Sequence, residues 1–546
     1  MGKISHDGQM LDLELGKTLF DYADELKVQV PTSCGRTGSC HECIVEVRRG
    51  METLTPRTAS ESFLCENYRL ACQAIIANNL GDVSFVPLRR QPQILTESTQ
   101  LLTFDLDPIV TRQGDEVTYD DQVIDCYRGR LYGLAMDLGT TTVVIELVDL
   151  ESGTTVAVAS FENPQRFGGS DVMNRISYDE GPFRGELHQA IVKGLNYEIR
   201  EICRRGGFRR QEIYEVVVAG NSTMRDLFFD LDVQSIGQKP YKSIIETEVI
   251  EGMRESSSLL VEARSLGVHV HPQARIFGMP LIASHVGADT AADLVAISME
   301  EQNEVIMLVD VGTNTEVVVG HGGRMMTASC PAGPAFEGGL IKYGMPGCEG
   351  AIEAIRAVDG HFDYETIGEV EPQGICGSGL IDLLAELRRQ GQMTPKGVFA
   401  HKAYEISVVP RHGITFSRED ASNLAQAKAA NYCGQLIVMR RFGIDPKDVQ
   451  RLYLAGGFAN YINVTNAIDI GFLAPVDEER IVKVGNAAVQ GAKAVLLSRK
   501  KRQSLEHLVK QIEHIELETT PDFFEVFVEA CQFKPMPTEI VAMKMG

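Results

Sequence analysis

The sequence predicts a multidomain protein of class α+β and α/β, in which a small unit precedes a larger, duplicated α/β domain. The chain has 546 residues, which is too many for a single hydrophobic core. A cysteine-rich loop lies near the N-terminus, at residues 34–43. Two later segments, 134–149 and 307–322, repeat one pattern of strand, glycine turn and strand. We therefore expect a cysteine-bearing domain joined to a two-lobed domain with a cleft between its halves.

The composition is that of an acidic globular protein. Hydrophobic residues make up 44% of the chain, charged residues 23%, and the formal net charge is −23. A surface this acidic repels nucleic acids and anionic membranes, so we expect proteins or small molecules as partners. No stretch reaches the roughly 18 uninterrupted apolar residues of a membrane helix. The charged segment 1–21 is unlike a signal peptide, and the expected compartment is the cytoplasm.

Four of the 12 cysteines have the spacing of iron–sulfur ligands. Cys34, Cys40 and Cys43 form a C-x5-C-x2-C loop, and Cys72 follows after 28 further residues. Three thiolates from one loop and a fourth from a distant segment are the arrangement that holds a [2Fe–2S] cluster. Zinc is the main alternative, but zinc sites favour paired C-x2-C knuckles, and this chain has one such pair. Cys65 is a rival for the position of fourth ligand.

Two glycines are expected to shape the loop between these ligands. Gly35 and Gly38 allow tight turns that direct backbone N–H groups at the anionic sulfur atoms of a cluster. His41 lies between two ligands and could suggest a mixed histidine and cysteine site. We expect its side chain to face solvent instead.

The order of elements around the loop is that of a small ferredoxin. Apolar spacing predicts a strand at 11–15, a helix at 18–26 and a strand at 44–47. The first cysteine gap is one residue longer than in plant-type ferredoxins. Together with the RLACQ segment around Cys72, this gap resembles the adrenodoxin-type variant. The resemblance implies a β-grasp [2Fe–2S] ferredoxin domain over residues 1–93, with Cys72 as the fourth ligand.

The rest of the chain is interpreted as a linker followed by a duplicated domain. Residues 94–130 are polar and acidic with short β-like runs, and this linker is expected to fold into a small unit. The repeat divides the remainder into a first lobe at 131–293 and a second lobe with a C-terminal extension at 294–546. Each half has a hairpin, an amphipathic helix (186–204 or 420–442) and a strand that ends in Ala-Gly.

The repeated Asp-x-Gly-Thr-x-Thr turns have the chemistry of phosphate-binding loops. A hairpin turn with glycine presents backbone N–H groups and threonine hydroxyls to a phosphate chain. The aspartates at the strand ends, Asp137 and Asp310, can hold Mg²⁺ through water or position an attacking water. Two such turns that face each other would grip a polyphosphate from both sides.

These motifs resemble the superfamily of actin, sugar kinases and heat-shock-type ATPases, which implies a ribonuclease-H-like two-lobed ATPase fold. MDLGTTT at 136–142 resembles the first phosphate loop, VDVGTNT at 309–315 the second, and LAGGFAN at 454–460 the adenosine-binding turn. GICGSGL at 374–380 is assigned to the same cleft, although a Gly/Ser turn before a helix is often only a cap. Asp137 and Asp310 are the implied catalytic pair. The implied ATP-binding residues are Gly139, Thr140, Thr141, Thr142, Gly312, Thr313, Asn314, Thr315, Gly377, Ser378, Gly379, Gly456, Gly457 and Phe458.

A [2Fe–2S] domain joined to this ATPase resembles one family, the reductive activators of corrinoid-dependent enzymes. The resemblance covers nearly the whole chain and includes HVGADTAAD at 285–293, SCPAGPAFEGG at 329–339 and VGNAA at 484–488. It implies an ATP-hydrolysing iron–sulfur oxidoreductase that transfers one electron from the cluster to a corrinoid protein of a methyltransferase system. Inactive Co(II) would thereby be reduced to Co(I). The implied cofactors are the [2Fe–2S] cluster, ATP and Mg²⁺.

The resemblance also implies partners and leaves rival functions to weigh. The partners are the corrinoid protein and a low-potential electron donor, and a homodimer is one option for the assembly. The alternative function is an ATP-gated electron donor to another low-potential enzyme, as in radical dehydratase-type activators, with Cys330 where a second cluster ligand would fall. A kinase with Asp289 as general base would have no need of a cluster. A redox role for Cys330, Cys348 or Cys376 stays open.

Overall fold

The structure of the protein is a computed structural model that describes most of the chain. The described residues are 2–6, 9–28, 30, 32, 34–88, 105–358, 360–457 and 459–542. Phe458, one of the predicted ATP-binding residues, lies outside them. Within these ranges, no helix combines the length and the apolar character that crossing a membrane requires.

The N-terminal domain is a β-grasp sheet with one helix packed on it. Its elements are β1 (Lys3–His6), β2 (Gln9–Asp12), α1 (Leu19–Glu25), β3 (Ile44–Arg49), β4 (Tyr68–Leu70) and β5 (Val83–Pro87). The strand order is β2-β1-β5-β3-β4, with β1 parallel to β5 and the other neighbours antiparallel. Thr18 and Asp21 form a capping box that starts α1 where the sequence predicts a helix. The strand expected at 11–15 ends earlier, because the chain turns so that Glu14 N–H reaches the Tyr22 hydroxyl at 2.6 Å.

Residues 105–130 of the predicted linker form a small antiparallel sheet. Its strands are β6 (Val110–Gln113), β7 (Glu116–Tyr119) and β8 (Gln122–Cys126). Val110 and Val117 are fully buried in an apolar cluster that they share with the ATPase domain. The Tyr119 hydroxyl donates to Glu215 Oε1 at 3.2 Å. This part of the chain is therefore a folded unit fixed to the ATPase domain, and residues 94–104 lie outside the description.

The first ATPase lobe is a mixed sheet with helices around it. Its strands are β9 (Tyr132–Leu138), β10 (Thr142–Asp149), β11 (Thr155–Glu162), β12 (Ile213–Gly220), β13 (Leu259–Glu262) and β14 (Arg275–Gly278). Its helices are α2 (Val172–Asp179), α3 (Glu186–Gly206), α4 (Ser222–Phe228), α5 (Gln234–Gly237), α6 (Ile244–Ile250) and α7 (Ala288–Ala296). The strand order is β11-β10-β9-β12-β14-β13, in which β9, β12 and β14 are parallel.

The second lobe repeats this plan and carries additional small sheets. Its strands are β15 (Ile306–Val311), β16 (Thr315–His321), β17 (Arg324–Cys330), β18 (Ala351–Val358), β19 (His361–Thr366), β20 (Gly374–Ile375), β21 (Glu405–Val409), β22 (Ile414–Ser417), β23 (Arg451–Ala455), β24 (Ile481–Gly485) and β25 (Ile512–His514). Its helices are α8 (Gly377–Arg389), α9 (Arg418–Phe442), α10 (Val464–Asp469), α11 (Ala487–Leu497), α12 (Arg499–Leu508) and α13 (Phe523–Ala530). The central strand order is β24-β23-β15-β16-β17-β25.

The duplication predicted from the repeat is confirmed by the topology. In each lobe an antiparallel three-stranded meander continues into parallel strands beside its first strand, as in β11-β10-β9-β12-β14 and β17-β16-β15-β23-β24. Equivalent carboxyl strand ends therefore face one cleft.

Two helices, α7 and α11, lie between the lobes. A Cβ at Gly491 of α11 would approach the Ala292 carbonyl of α7 to 1.9 Å, so glycine allows the close crossing. Because α11 also packs on β9, the C-terminal chain returns to the first lobe. The domain boundaries at 93, 130 and 293 stay predictions.

Candidate functional site

Residues in the left-handed backbone region shape the cysteine loop between α1 and β3. Positive φ angles occur at Gly35 (+64°), Arg36 (+69°), Gly38 (+83°) and His41 (+56°). A Cβ at Gly38 would approach the Gln73 side chain to 3.0 Å, so this position favours glycine for two reasons. The loop therefore curls tightly, as its glycines predict.

The sulfur atoms of the predicted cluster ligands face a common space. Cys43 Sγ and Cys72 Sγ lie 3.4 Å apart, although the two residues are distant in the sequence. The Thr32 hydroxyl lies 3.9 Å from Cys34 Sγ and 4.0 Å from Cys40 Sγ. Three of the four cysteines are buried and Cys34 is half-buried. Four thiols, three from one loop and one from the following segment, are a donor set that fits a [2Fe–2S] cluster.

Hydrogen bonds favour the thiolate form, which binds iron, at Cys34 and Cys72, whereas the pKa of Cys43 is raised, first because its thiol donates to Cys72 and then because it is buried. Burial tends to raise the pKa of Cys34, but the Thr37 hydroxyl and loop N–H groups lower it to about 4. The pKa of Cys72 is lowered to about 7, first because Cys43 donates a hydrogen bond to its sulfur. The loop is thus arranged to hold an anionic group.

The rival ligand Cys65 and the neighbouring His41 face the ATPase domain instead. Cys65 Sγ donates to the Phe167 carbonyl at 3.1 Å, whereas Cys72 lies beside Cys43. This geometry favours the predicted ligand Cys72. The expectation that His41 faces solvent is wrong, because its Nδ1 lies 3.2 Å from Glu186 Oε2. Its ring is also stacked on Phe63, with 4.1 Å between the ring centroids.

The second site is a cleft between the ATPase lobes with a cavity volume of about 140 Å³. Both Asp-x-Gly-Thr turns and the predicted adenosine turn line it. The predicted residues among its lining are Asp137, Gly139, Thr140, Thr141, Thr142, Asp310, Gly312, Thr313, Asn314, Gly456 and Gly457. Thr315 is not among them, because it is buried in β16 opposite Cys330.

Close backbone packing holds the turns at the rim of this cleft. A Cβ at Gly139 would approach the Thr142 carbonyl to 2.5 Å, and Asn163 Nδ2 donates to the Gly139 carbonyl at 2.8 Å. Gly456 has a φ of +109°, and a Cβ there would lie 2.1 Å from the Val311 carbonyl. Gly139 therefore allows the first phosphate turn to close tightly, and Gly456 allows the adenosine turn to approach the second phosphate turn.

Glu337 joins the two phosphate turns across the cleft. The Thr141 hydroxyl donates to Glu337 Oε2 at 2.9 Å, and the Thr313 hydroxyl donates to the same oxygen at 2.6 Å. Burial raises the pKa of Glu337 above its ordinary value. A phosphate group between the turns would compete with this carboxyl for the same two hydroxyls.

Buried carboxyl groups converge beneath these turns. Burial raises the pKa of Asp137 to about 7 and that of Asp310 to about 6. Asp289 rises to a pKa of about 7 through burial and repulsion from Asp310. Asp293 has a raised pKa for the same reasons, and its buried Oδ2 has no hydrogen-bond partner among the described residues. Oxygen donors of this charge suit Mg²⁺, which would relieve their repulsion.

Family models match three parts of this architecture. The family described as the C-terminal domain of RACo, the ASKHA domain, matches residues 304–544. The RACo middle region matches residues 132–302. The 2Fe-2S iron-sulfur cluster binding domain matches residues 3–77.

Named relatives agree with these family matches. The chain is 28% identical to the corrinoid activation enzyme RamQ of Eubacterium limosum, with 96% of this chain and 97% of RamQ covered. It is 24% identical to the [Co(II) methylated amine-specific corrinoid protein] reductase of Methanosarcina barkeri, over 72% and 75% of the two chains. A solved structure, the reductive activator for corrinoid,iron-sulfur protein, matches with a TM-score of 0.71 and 28% identity, covering 98% and 99%. The chain belongs to the family of reductive activators of corrinoid-dependent enzymes.

The family assignment confirms the predicted fold class and enzyme class, but one predicted segment of this activator does not line the cleft cavity. Gly377–Gly379 forms the first turn of α8 and is not among the cleft-lining residues. Ser378 Oγ donates to the Glu353 carbonyl at 2.8 Å. A Cβ at Gly379 would approach the Ile352 carbonyl to 2.4 Å, so this glycine allows α8 to pack on β18. A role for the segment in ATP binding stays a prediction.

Sequence reasoning missed two asparagines that support the cleft of this activator. Asn486 Nδ2 donates to Asp137 Oδ2 at 2.7 Å, and Asn221 Nδ2 donates to the Thr140 hydroxyl at 2.9 Å. Each residue follows a strand that ends in glycine and caps the next helix, α11 or α4. That pattern is visible in the sequence as AGN and VGN, and it indicates a side chain at the carboxyl edge of a parallel strand. Glu337 and Asp293 have no comparable local signal.

Proposed function

We propose that this activator uses ATP to transfer one electron from a [2Fe–2S] cluster to the Co(II) ion of a corrinoid protein, which yields Co(I). The observation that carries the proposal is the pairing, in one chain, of a four-thiol loop with an acidic cleft between two phosphate turns. The named relatives are corrinoid activation enzymes and reductases, which supports the choice of substrate.

The energetics require a modest contribution from the ATPase domain. When bound, a cluster of this type supplies one electron at a potential of about −400 mV. The Co(II)/Co(I) couple is expected to lie lower, and bridging about 100 mV requires about 2.3 kcal/mol for one electron. Loss of an axial cobalt ligand on the partner would raise the cobalt potential. A coupling free energy of this size is typical of conformational switching.

The proposed role of each cleft residue follows from its position. Asp137 and Asp310 hold Mg²⁺ or position the attacking water, while the turns at 139–142 and 312–314 bind phosphate oxygens. The LAGGFAN turn, with Phe458, holds the adenosine. Because Glu337 accepts hydrogen bonds from the threonine hydroxyls of both turns, an ATP phosphate that bound these hydroxyls would break this contact and change how the lobes meet.

The remaining partners and the location are proposals of the same kind. A corrinoid protein of a methyltransferase system is the electron acceptor, and a separate low-potential donor reduces the cluster. A homodimer is the proposed assembly, and the cytoplasm is the proposed location.

The test is a single-turnover measurement under anaerobic conditions. Reduced activator is mixed with a Co(II) corrinoid protein, and the absorbance of Co(I) is followed with Mg-ATP, with a non-hydrolysable analogue and without nucleotide. We expect Co(I) to form in an ATP-dependent way. Equal rates and yields in all three samples would contradict the proposal.

Among the residues that the structure describes, no observation favours the dehydratase-type alternative. Cys330 Sγ lies in contact with α9, only 2.0 Å from where a Cβ at Gly434 would lie, and burial raises its pKa. Cys376 Sγ donates to the Ile352 carbonyl at 3.3 Å. These are contacts of packed thiols rather than of a second set of iron ligands. No observation on the described residues assigns Cys348 to such a set.

A further inference from the structure

The loop that carries the cluster ligands lies against helix α3 of the first ATPase lobe. Lys193 Nζ donates to the main-chain carbonyl of Cys40 at 2.9 Å. One residue further along the loop, His41 Nδ1 lies 3.2 Å from Glu186 Oε2. A cation of the ATPase domain is therefore in direct contact with a residue predicted to bind iron.

A second row of contacts fixes the ferredoxin domain in this position. The Tyr178 hydroxyl of α2 donates to the Phe63 carbonyl at 2.6 Å. The Phe63 ring is stacked on His41. It also meets Phe167 edge to face, with 5.5 Å between the centroids of Phe63 and Phe167. Cys65 Sγ donates to the Phe167 carbonyl. We call the surface formed by Phe167, Tyr178, Glu186 and Lys193 the docking face.

The charge of Lys193 is not neutralised by a carboxylate at the docking face. Its other hydrogen bond goes to Gln189 Oε1 at 3.2 Å, which is an uncharged partner. In the part of the chain that the structure describes, no ion pair involves Lys193. Glu186, the acidic residue of α3 at the docking face, contacts the imidazole of His41 rather than a predicted ligand. Lys193 is a half-buried residue, and screening by water is weaker at such a position than in bulk.

We propose that Lys193 raises the reduction potential of the cluster while the ferredoxin domain occupies the docking face. Lys193 is thus a positioning residue for electron transfer. The inference rests on the proposed function, because it requires a [2Fe–2S] cluster at the four cysteines. An oxidised cluster that takes up one electron becomes one charge more negative. A fixed cation nearby stabilises the reduced form more than the oxidised form, so the potential rises.

The reduction potential of the cluster differs between two positions of the ferredoxin domain. On the docking face the domain retains its electron, because Lys193 makes the reduced cluster more stable. Away from this face the same cluster has a lower potential and is a stronger reductant. Release of the domain would therefore reduce the uphill gap to a low-potential acceptor without any change in the ligands.

The test measures the reduction potential of the full-length holoprotein, titrated with dithionite and redox mediators and followed by the EPR signal of the reduced cluster. Lys193→Met is compared with Lys193→Arg and with Arg200→Met. Arg200 is an exposed cation seven residues further along α3, about 10 Å from Lys193. We expect a more negative potential for Lys193→Met, and a potential close to that of the wild type for Lys193→Arg and Arg200→Met. Unchanged visible spectra would show that the cluster is intact in each variant.

Two results would overturn the inference. The first is a Lys193→Met potential equal to that of the wild type. The second is an equal shift in Arg200→Met, which would indicate an effect of net charge alone. Failure of the proposed function is a separate outcome, because Co(I) formation can be absent while the potentials shift as expected. A full-length protein that binds no cluster would overturn both proposals.

Discussion

At the scale of single residues, the positions of the cysteines predict which of them is the fourth cluster ligand. Cys72 Sγ lies 3.4 Å from Cys43 Sγ, whereas Cys65 bonds to the ATPase domain. We expect Cys72→Ser to lose the [2Fe–2S] absorbance and most of the bound iron, and Cys65→Ser to retain both. Iron analysis and visible spectra of the two purified variants measure this. Cluster loss in Cys65→Ser with a normal cluster in Cys72→Ser would reverse the assignment.

The buried carboxyl groups of the cleft are expected to make the stability of the protein depend on pH. The pKa of Asp310 is about 6, raised by burial from its ordinary value of 3.8. The folded protein therefore binds this proton more tightly than the unfolded chain does. Ligand-free protein loses stability as the pH rises from about 4 to about 6, and the loss is complete above the folded pKa.

Asp310→Asn removes this penalty and tests the sign of the effect. We expect the free energy of unfolding of the Mg²⁺-free variant to exceed that of the wild type by roughly 1–3 kcal/mol at pH 8, with a smaller difference at pH 4. ATP hydrolysis should fall by about 100-fold or more. Asp363→Asn, an exposed change on β19, is the control for both measurements. A variant less stable than the wild type at pH 8 would contradict the account.

At the scale of elements, one segment connects the nucleotide cleft with the docking face. Asn163 donates to the carbonyl of Gly139 in the first phosphate turn. Arg175 of α2 donates to the Thr140 carbonyl at 2.7 Å, and Tyr178 lies one turn further along the same helix. Movement of the phosphate turn on ATP binding would therefore be transmitted to α2 and to the ferredoxin domain.

Tyr178→Phe tests the docking-face end of this connection with a minimal change. The variant loses the hydrogen bond to the Phe63 carbonyl and keeps the ring, so docking should weaken by about 0.5–1.5 kcal/mol. We expect faster hydrogen exchange in the cysteine loop at 34–43. Exchange in the second phosphate turn, at 310–316, should be unchanged. Tyr404→Phe, at a position 79% exposed, provides the matched control. Unchanged exchange at 34–43 would show that this contact does not hold the domain.

Elements with a local signal are those that the sequence predicts well. The capping residue Thr18, the glycine turns after Asp137 and Asp310, and the apolar spacing of α3 all act within a few residues of chain. The helix α9 is present as predicted but is not amphipathic, because it is buried on all sides over residues 427–440. Glu337 and Asn486 reach the cleft only because distant segments fold together, as when α11 crosses back to β9. Such placements depend on tertiary packing, which periodicity and spacing do not encode.

At the scale of the whole molecule, the arrangement of domains is the feature that sequence reasoning described least well. The sequence predicts that His41 faces solvent, yet it packs between Phe63 and the first ATPase lobe. The linker sheet at 110–126 shares its apolar core with the ATPase domain. Contacts of this kind join surfaces that each have an ordinary composition, so no motif marks them. They nevertheless decide how far the cluster lies from the ATP cleft.

The central claim is that ATP allows one electron to move from the cluster to cobalt. It is tested most directly by following both redox centres in one anaerobic sample of reduced full-length protein and Co(II) corrinoid protein. We expect the addition of Mg-ATP to cause the EPR signal of the reduced cluster to disappear and the Co(I) absorbance to appear, one for one and at the same rate. Co(I) formation without loss of the cluster signal, or an equal yield without ATP, would contradict it.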